Sequence, residues 1–236
     1  MTNKPWLVLD CYIEDPGAGA GNFIPHLGND RDITVVTAPV SDMPDDPATF
    51  HGVLMTGSAA SVLDRLPWVI AMTDFIRASV AQRVPVLGVC FGHQVLAEAL
   101  TGTDAVRKAP LPELGWFDID VLRPDPILAG FPAQFRTFLS HFDEVEPTAA
   151  GPNLEILARS EQCPVQAFRH PDAPAWGVQF HSEMALDEAQ QLVRKRIGTV
   201  LPGDPEVVLR KAVDSRPLIR TLIDNFVQAT TAHHQA

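Results

Sequence analysis

Two places in the chain carry residues whose types and spacing could do covalent chemistry. The first is Val84 to Leu100, VPVLGVCFGHQVLAEAL, where Cys90 sits between Gly88 and Gly92, after an apolar run and before a helix-forming one. A strand that turns through Gly-X-Cys-X-Gly into a helix has the form of a nucleophile elbow, the thiol counterpart of Gly-X-Ser-X-Gly. The glycines leave room where the chain turns too sharply for side chains. Cys90 then stands at the N-terminus of a helix through His93 to Leu100, where the positive end of the dipole and unpaired backbone N–H groups favour thiolate over thiol. The N–H of Phe91 points where an oxyanion would form. A buried structural cysteine, the commonest fate of a free thiol, is the competing reading of Cys90 taken alone.

The second place lies 91 positions later, in WGVQFHSEM, Trp176 to Met184. A strand-like run ends in His181, and Glu183 follows two residues on. An imidazole at a strand end can take the thiol proton, and a carboxylate beside it can hold its tautomer and stabilise the imidazolium. Of the eight histidines only His181 has this setting. His26, His51, His93 and His170 read as surface or loop residues, and His233 and His234 as part of a frayed tail. The three cysteines are far apart and include no CxxC pair, which argues against a disulfide framework or a thiolate zinc site. Cys11 and Cys163 read as packing residues.

The elements that must position these groups follow from periodicity. Short apolar runs alternate with longer segments of helical period, so an α/β layer fold is expected. Trp6 to Asp10, Asp32 to Ala38, His51 to Gly57 and Val84 to Cys90 read as strands, Phe23 to Gly28 as a short helix and Pro67 to Arg83 as a crossover helix with proline in its first turn. From Ala105 to Phe180 the pieces GWFDIDVL, FRTFLS, LEILARS, PVQAFRH and AWGVQF suit hairpins and an antiparallel extension. Helices are expected at Asp187 to Leu201, Asp204 to Val213 and Arg216 to Thr230. The stretch PGAGAG, Pro16 to Gly21, lacks a following Lys-Ser/Thr and reads as a flexible loop that can still border a ligand crevice. SDMPDDP, Ser41 to Pro47, reads as a solvated loop. The whole of 1–236 is expected to form one domain, with a core over about 6–184 and C-terminal helices within 187–230.

Composition narrows the partners. The 236 residues are 46% hydrophobic, enough to fill a sizeable core. Eighteen basic against 29 acidic residues give a net charge of −11, which repels a phosphate backbone and excludes a basic stripe for nucleic acid. No apolar run approaches the roughly 20 residues of a membrane helix, and the N-terminus has no signal-peptide order. A cytoplasmic location without membrane association is the expectation.

With GVCFGHQ and GVQFHSE both in view, the sequence resembles the class I glutamine amidotransferases, the Cys-His-Glu family that includes the glutaminase domain of GMP synthase. The resemblance covers about Leu7 to Met184. It implies an open, mostly parallel central sheet with helices on both faces, a flavodoxin-like or Rossmann-like three-layer fold, plus a small antiparallel extension. It makes Cys90 the nucleophile, His181 the base and later acid, and Glu183 its orienting partner. Gly57, in the Thr56-Gly57-Ser58 loop, and Phe91 would supply the oxyanion hole. Ser58, Gln94, Ser140, His141 and Phe142 would contact substrate, the last three within a Ser-His-Phe-Asp segment that cradles the α-amino and α-carboxylate groups. The loop TGSAAS departs from Gly-Gly-Pro, His-Ser-Glu from His-Pro-Glu, and Phe142 replaces a frequent glycine, which reshapes the α-group pocket.

The resemblance further implies hydrolysis of the L-glutamine amide through a cysteinyl thioester, with no metal or organic cofactor and with ammonia passed to a separate synthase. The texture is closer to a stand-alone GMP synthase-like glutaminase than to the dedicated subunits of other pathways. A second reading is an independent γ-glutamyl hydrolase or peptidase acting on a γ-glutamyl conjugate. A third is a binding or regulatory protein that keeps the fold, against which Cys90, His181 and Glu183 all stand. A redox or chaperone-like cysteine protein would place a histidine directly after the cysteine, where Phe91 stands. The C-terminal helices are expected to cover the sheet or to form a contact between copies of the chain.

Overall fold

A computed structural model describes residues 4–15, 17–28, 30–149 and 151–235. Its first half is four strands with helices between them: β1 (Trp6–Asp10), α1 (Ala18–Gly21), α2 (Ile24–Leu27), β2 (Ile33–Thr37), β3 (Val53–Met55), α3 (Pro67–Ala81), β4 (Val86–Val89) and α4 (Phe91–Thr101). The second half begins with β5 (Val106–Val121), β6 (Gln134–Val145), β7 (Glu155–Arg159), β8 (Ala167–Arg169) and β9 (Ala175–Val178). It closes with α5 (Leu186–Arg196), α6 (Pro205–Leu209) and α7 (Arg216–Gln235).

The strands form one nine-stranded sheet in the order β2-β1-β3-β4-β9-β8-β7-β5-β6. Pairings from β2 to β9 are parallel. Those from β9 through to β6 are antiparallel. The sheet is therefore mixed, and the antiparallel part continues the parallel part edge to edge. Strand order reverses between β1 and β3, so the C-terminal ends of β1, β3, β4 and β9 border a crevice of the kind where open α/β sheets hold ligands.

Why the parallel strands read as unbroken apolar runs is plain from their two faces. Leu7, Leu9, Val53, Met55 and Val86 pack with α3 and α4. Trp6, Val8, Leu54, Leu87 and Val89 face the other way, into a second core with α2 and α7. Alternation sends successive side chains to opposite faces, and since both faces are covered every position favours an apolar residue. On α7, Ile219, Leu222, Ile223 and Phe226 recur at helical spacing and are buried. Phe226 sits edge-on to Trp6 and Trp176, with ring centroids 5.6 and 6.2 Å away. A third, smaller core joins Leu114, Trp116 and Phe138 of the β5–β6 hairpin to Ala189 and Val193 of α5 and to Ile197 just beyond it. It holds α5 against the antiparallel part of the sheet.

Several expectations are corrected. Residues 18–21 are a helical turn rather than a flexible loop, because the Asp10 carboxylate accepts hydrogen bonds from Tyr12 N–H and Ala20 N–H at 2.9 Å each. Pro16 lies outside the described residues. β5 starts at Val106, well before the expected segment; Pro110 and Pro112 break the alternation there, and the pairing shifts register between Lys108 and Glu113. α5 stops at Arg196 rather than Leu201, since Gly198 takes a left-handed φ of +85°. α6 is five residues long, shorter than the span expected. α7 continues through His233 and His234, whose expected fraying is prevented in part by a 2.8 Å contact of His234 Nε2 with the His51 carbonyl.

Removal of the Phe226 ring leaves a cavity between α7 and the sheet. Phe226→Ala is expected to lower the stability by about 3–5 kcal/mol, measured as a drop in the urea midpoint of unfolding.

Candidate active site

The turn after β4 is built from close approach. Cys90 has φ +52° and ψ −104°, a conformation that costs a non-glycine residue about 1–3 kcal/mol. Two backbone bonds hold it: Cys90 N–H donates to Val178 O at 2.8 Å, and Gln94 N–H donates to Cys90 O at 3.1 Å. A Cβ on Gly88 would lie 2.3 Å from Gly92 O, and one on Gly92 would lie 2.5 Å from Met55 Cβ. Both glycines are required by backbone contact, so neither can be traded without moving the elbow. The bond from Gln94 is the first of the helix, which leaves the N–H groups of the preceding turn, Phe91 among them, without intrahelical partners.

β9 runs parallel to β4 and delivers His181 to the same end. His181 N–H donates to Phe138 O at 2.8 Å, so the residue is also stitched to β6. Its Nδ1 meets Glu183 Oε1 at 2.6 Å, and both side chains are buried. Burial alone would lower the affinity of the His181 ring for its proton. The Cys90 sulfur and the Glu183 carboxylate, each by charge and by hydrogen bond, outweigh that and hold its pKa well above the ordinary histidine value. With Nδ1 committed to Glu183, Nε2 is the ring nitrogen left for Cys90. Gly57, just past β3, abuts both residues: a Cβ there would lie 2.9 Å from His181 Cε1 and 3.6 Å from Cys90 Cβ.

The other sequence-predicted site residues fall into two groups. Ser58, Gln94, Ser140, His141 and Phe142 line, with Cys90 and Phe91, a polar cavity of about 300 Å³ that also includes Lys108 and Asp143. Ser58 and Ser140 continue into a second cavity of about 200 Å³ that holds His181. Gln94 is tied into the protein, its amide nitrogen donating to Asp143 O at 2.8 Å and to Gln179 Oε1 at 3.0 Å. The His141 ring turns away from solvent to Glu113 Oε2 at 2.7 Å and Asp143 O at 3.0 Å, so its contribution to the cavity wall is backbone. Glu113 in turn accepts from Ser160 Oγ and Gln166 Nε2, both at 2.6 Å. This buried network anchors the strand segment that faces Cys90.

Among the described residues, one group of potential metal ligands gathers: Glu113, His141 and Cys163 present atoms within 4.8 Å of one another. Hydrogen bonds already engage the carboxylate and both ring nitrogens, so the group reads as a polar network. Cys11 and Cys163 are buried and burial raises both thiols, which fits packing roles. His93 is corrected: it is fully buried beneath the elbow, 4.7 Å ring to ring from Phe168, and burial pushes it down to about 3, so it is neutral. A helix buried on all sides admits no surface residue, and nothing local in the sequence signals that.

Residues not anticipated are Tyr12, Lys108, Arg196 and Glu113. Tyr12, the only tyrosine, follows β1 and its position at a strand end was a usable signal. Burial, then the charges of Glu183 and Cys90, push its phenol up, and it lines the cavity that holds His181. Lys108 pairs with Asp143 at 2.7 Å at the polar cavity. Arg196 lines both cavities and reaches the site only through tertiary packing.

Over 105 residues the chain is 42% identical to a component of the glutamine-hydrolyzing GMP synthase of Pyrococcus abyssi, covering 44% of this chain and 54% of that protein. The match therefore spans about half the length of that relative. The chain is 33% identical over 165 residues to the protein of the same name from Saccharolobus solfataricus, covering 70% of this chain and 82% of that one. A crystal structure of a glutamine amidotransferase from Methylobacillus flagellatus superposes with a TM-score of 0.76 at 25% identity, over 97% of this chain and 96% of that one. Residues 13–198 match the family described as Glutamine amidotransferase class-I, and the chain belongs to that family.

Proposed function

We propose that the protein hydrolyses γ-glutamyl amides through a thioester on Cys90, with L-glutamine as the simplest substrate. The observation that carries this is the meeting of Cys90, at the strained elbow, with His181 and Glu183 across the β4–β9 pair. Cys90 Sγ attacks the side-chain carbonyl carbon. The oxyanion that forms is held by the N–H groups of Gly57 and Phe91, for which no other acceptor is present among the described residues. The C–N bond breaks, its electron pair leaves with nitrogen, and His181 supplies the proton. Water then loses a proton to His181 and attacks the thioester, releasing glutamate and restoring the thiol. Glu183 holds the ring and offsets its charge.

The polar cavity supports a zwitterionic head group: Lys108 and Asp143 present both signs near Ser140 and Phe142. By its likeness to the GMP synthase relatives, the protein would release ammonia to a separate synthase. A second reading, hydrolysis of a γ-glutamyl conjugate, is favoured by the separate cavity on the His181 side.

Two outcomes are expected in an assay of glutamate release. Cys90→Ala and His181→Ala each reduce turnover by roughly 10³-fold or more, with His181→Ala retaining substrate binding. Full activity in either variant removes the assignment.

The raised pKa of His181 sets the pH profile. As the acid that protonates the leaving nitrogen, His181 is competent below its raised pKa, so kcat/KM falls on the alkaline side at a pH well above 6.5. Glu183→Gln removes one of the causes of the shift, moves that limb to lower pH and reduces kcat less than His181→Ala. The same shift contributes stability that is complete below pH 6.5 and is lost as pH rises through the raised value. An alkaline limb that Glu183→Gln leaves in place contradicts the pairing.

A further inference from the structure

The crevice is divided between the two reacting residues. Cys90 opens into the polar cavity, His181 into the other, and Ser58, Ala59, Ser140 and Arg196 belong to both. In amide hydrolysis the nucleophile ends bonded to the acyl half and the acid delivers its proton to the amine half. The scissile bond must then straddle the common wall, with the glutamyl group on the Cys90 side and the leaving amine on the His181 side. Ammonia is about the size of water, whose share of liquid volume is about 30 Å³. The His181 cavity is about 200 Å³, several times more than ammonia fills.

Its lining is unlike that of the Cys90 side. Tyr12, Ile13, Met184 and Leu192 give it apolar walls, Arg196 adds one cation, and Glu14 adds a solvent-exposed carboxylate that forms no ion pair with Arg196. Arg196 is half-buried, and among the described residues its side chain has neither an ion-pair partner nor a hydrogen-bond acceptor. Its backbone is held in place. The last turn of α5 is locked by Val200 N–H donating to Arg196 O at 2.8 Å and Thr199 Oγ1 donating to Lys195 O at 2.6 Å, while Val193 and Ile197 pack on the β5–β6 hairpin. A half-buried guanidinium with no carboxylate at ion-pair distance, carried by a fixed backbone beside a mostly apolar cavity, can take an anionic ligand group.

We propose that the His181 cavity is a leaving-group subsite for an apolar α-amino acid, its side chain against Ile13, Met184 and Leu192 and its carboxylate on Arg196, so that the favoured substrate is a γ-glutamyl dipeptide. This rests on the Cys90 hydrolase reading above. The step balances: Cys90 Sγ–C forms, C–N breaks, the amino acid departs with the electron pair and the His181 proton, and water then yields glutamate and free enzyme.

The test uses the intact protein with three substrates: L-glutamine, γ-glutamyl-leucine, and γ-glutamyl-isopentylamine, which is the same amide without the carboxylate. The expected kcat/KM for γ-glutamyl-leucine exceeds that for each of the other two by at least about tenfold, the effect of one charge-assisted hydrogen bond. In Arg196→Met the ratio of γ-glutamyl-leucine to γ-glutamyl-isopentylamine falls to about one, and Arg196→Lys restores part of it. Hydrolysis of glutamine with no preference for the dipeptide, or a preference that survives Arg196→Met, overturns the subsite and leaves the hydrolase reading intact. If none of the three amides is turned over, the hydrolase reading fails, and protection of Cys90 against iodoacetamide decides the subsite. Better protection by γ-glutamyl-leucine than by glutamine, lost in Arg196→Met, supports it; equal protection overturns it.

Discussion

Everything at the site depends on the contact between the backbone of Gly88 and that of Gly92. No side chain fits at Gly88, where a Cβ would fall 2.3 Å from Gly92 O, nor at Gly92, which presses on Met55 of the neighbouring strand. That approach forces the chain to turn within one residue, and Cys90 takes the positive φ of +52° as a consequence. The strain persists because the surroundings over-determine it: the N–H is taken by Val178, the carbonyl by Gln94, and α4 behind the turn is buried over Phe91 to Ala99. A side chain so placed is held by its strand, its helix and the strand beside it at once.

The sheet does the remaining assembly. β4 and β9 are far apart in sequence yet adjacent and parallel, so the elbow and His181 emerge at the same end without a long side chain having to reach. The step from parallel to antiparallel pairing beyond β9 then returns β6 alongside, where Phe138 O anchors His181 and Ser140 to Asp143 wall the cavity. The Glu113 network stiffens that wall from behind, with His141, Ser160 and Gln166 all hydrogen-bonded to the Glu113 carboxylate out of water. The third core carries α5, and with it Arg196, to the opposite rim.

The parts of this arrangement legible in the sequence are those encoded over a few adjacent residues. Gly88, Cys90 and Gly92 announce a turn, and His181 with Glu183 announce an imidazole and its carboxylate partner, because each set lies within one local backbone conformation. The parallel strands were legible since burial on both faces removes polar residues from them. Lys108 and Arg196 were not, because what brings them to the crevice is the register of β5 on β6 and the packing of α5. His93 misled for a related reason: a polar residue type suggested a surface that an enclosed helix does not have. The two prolines that precede Glu113 hid the first half of β5.

The most direct measurement of the central claim is mass spectrometry of the protein quenched in acid during turnover of L-glutamine or a γ-glutamyl dipeptide, with the peptides mapped. The account predicts an adduct of one glutamyl group on the peptide that carries Cys90, released by hydroxylamine as a thioester would be. Hydrolysis that proceeds with no adduct on Cys90, or with the adduct on Cys11 or Cys163, would contradict it.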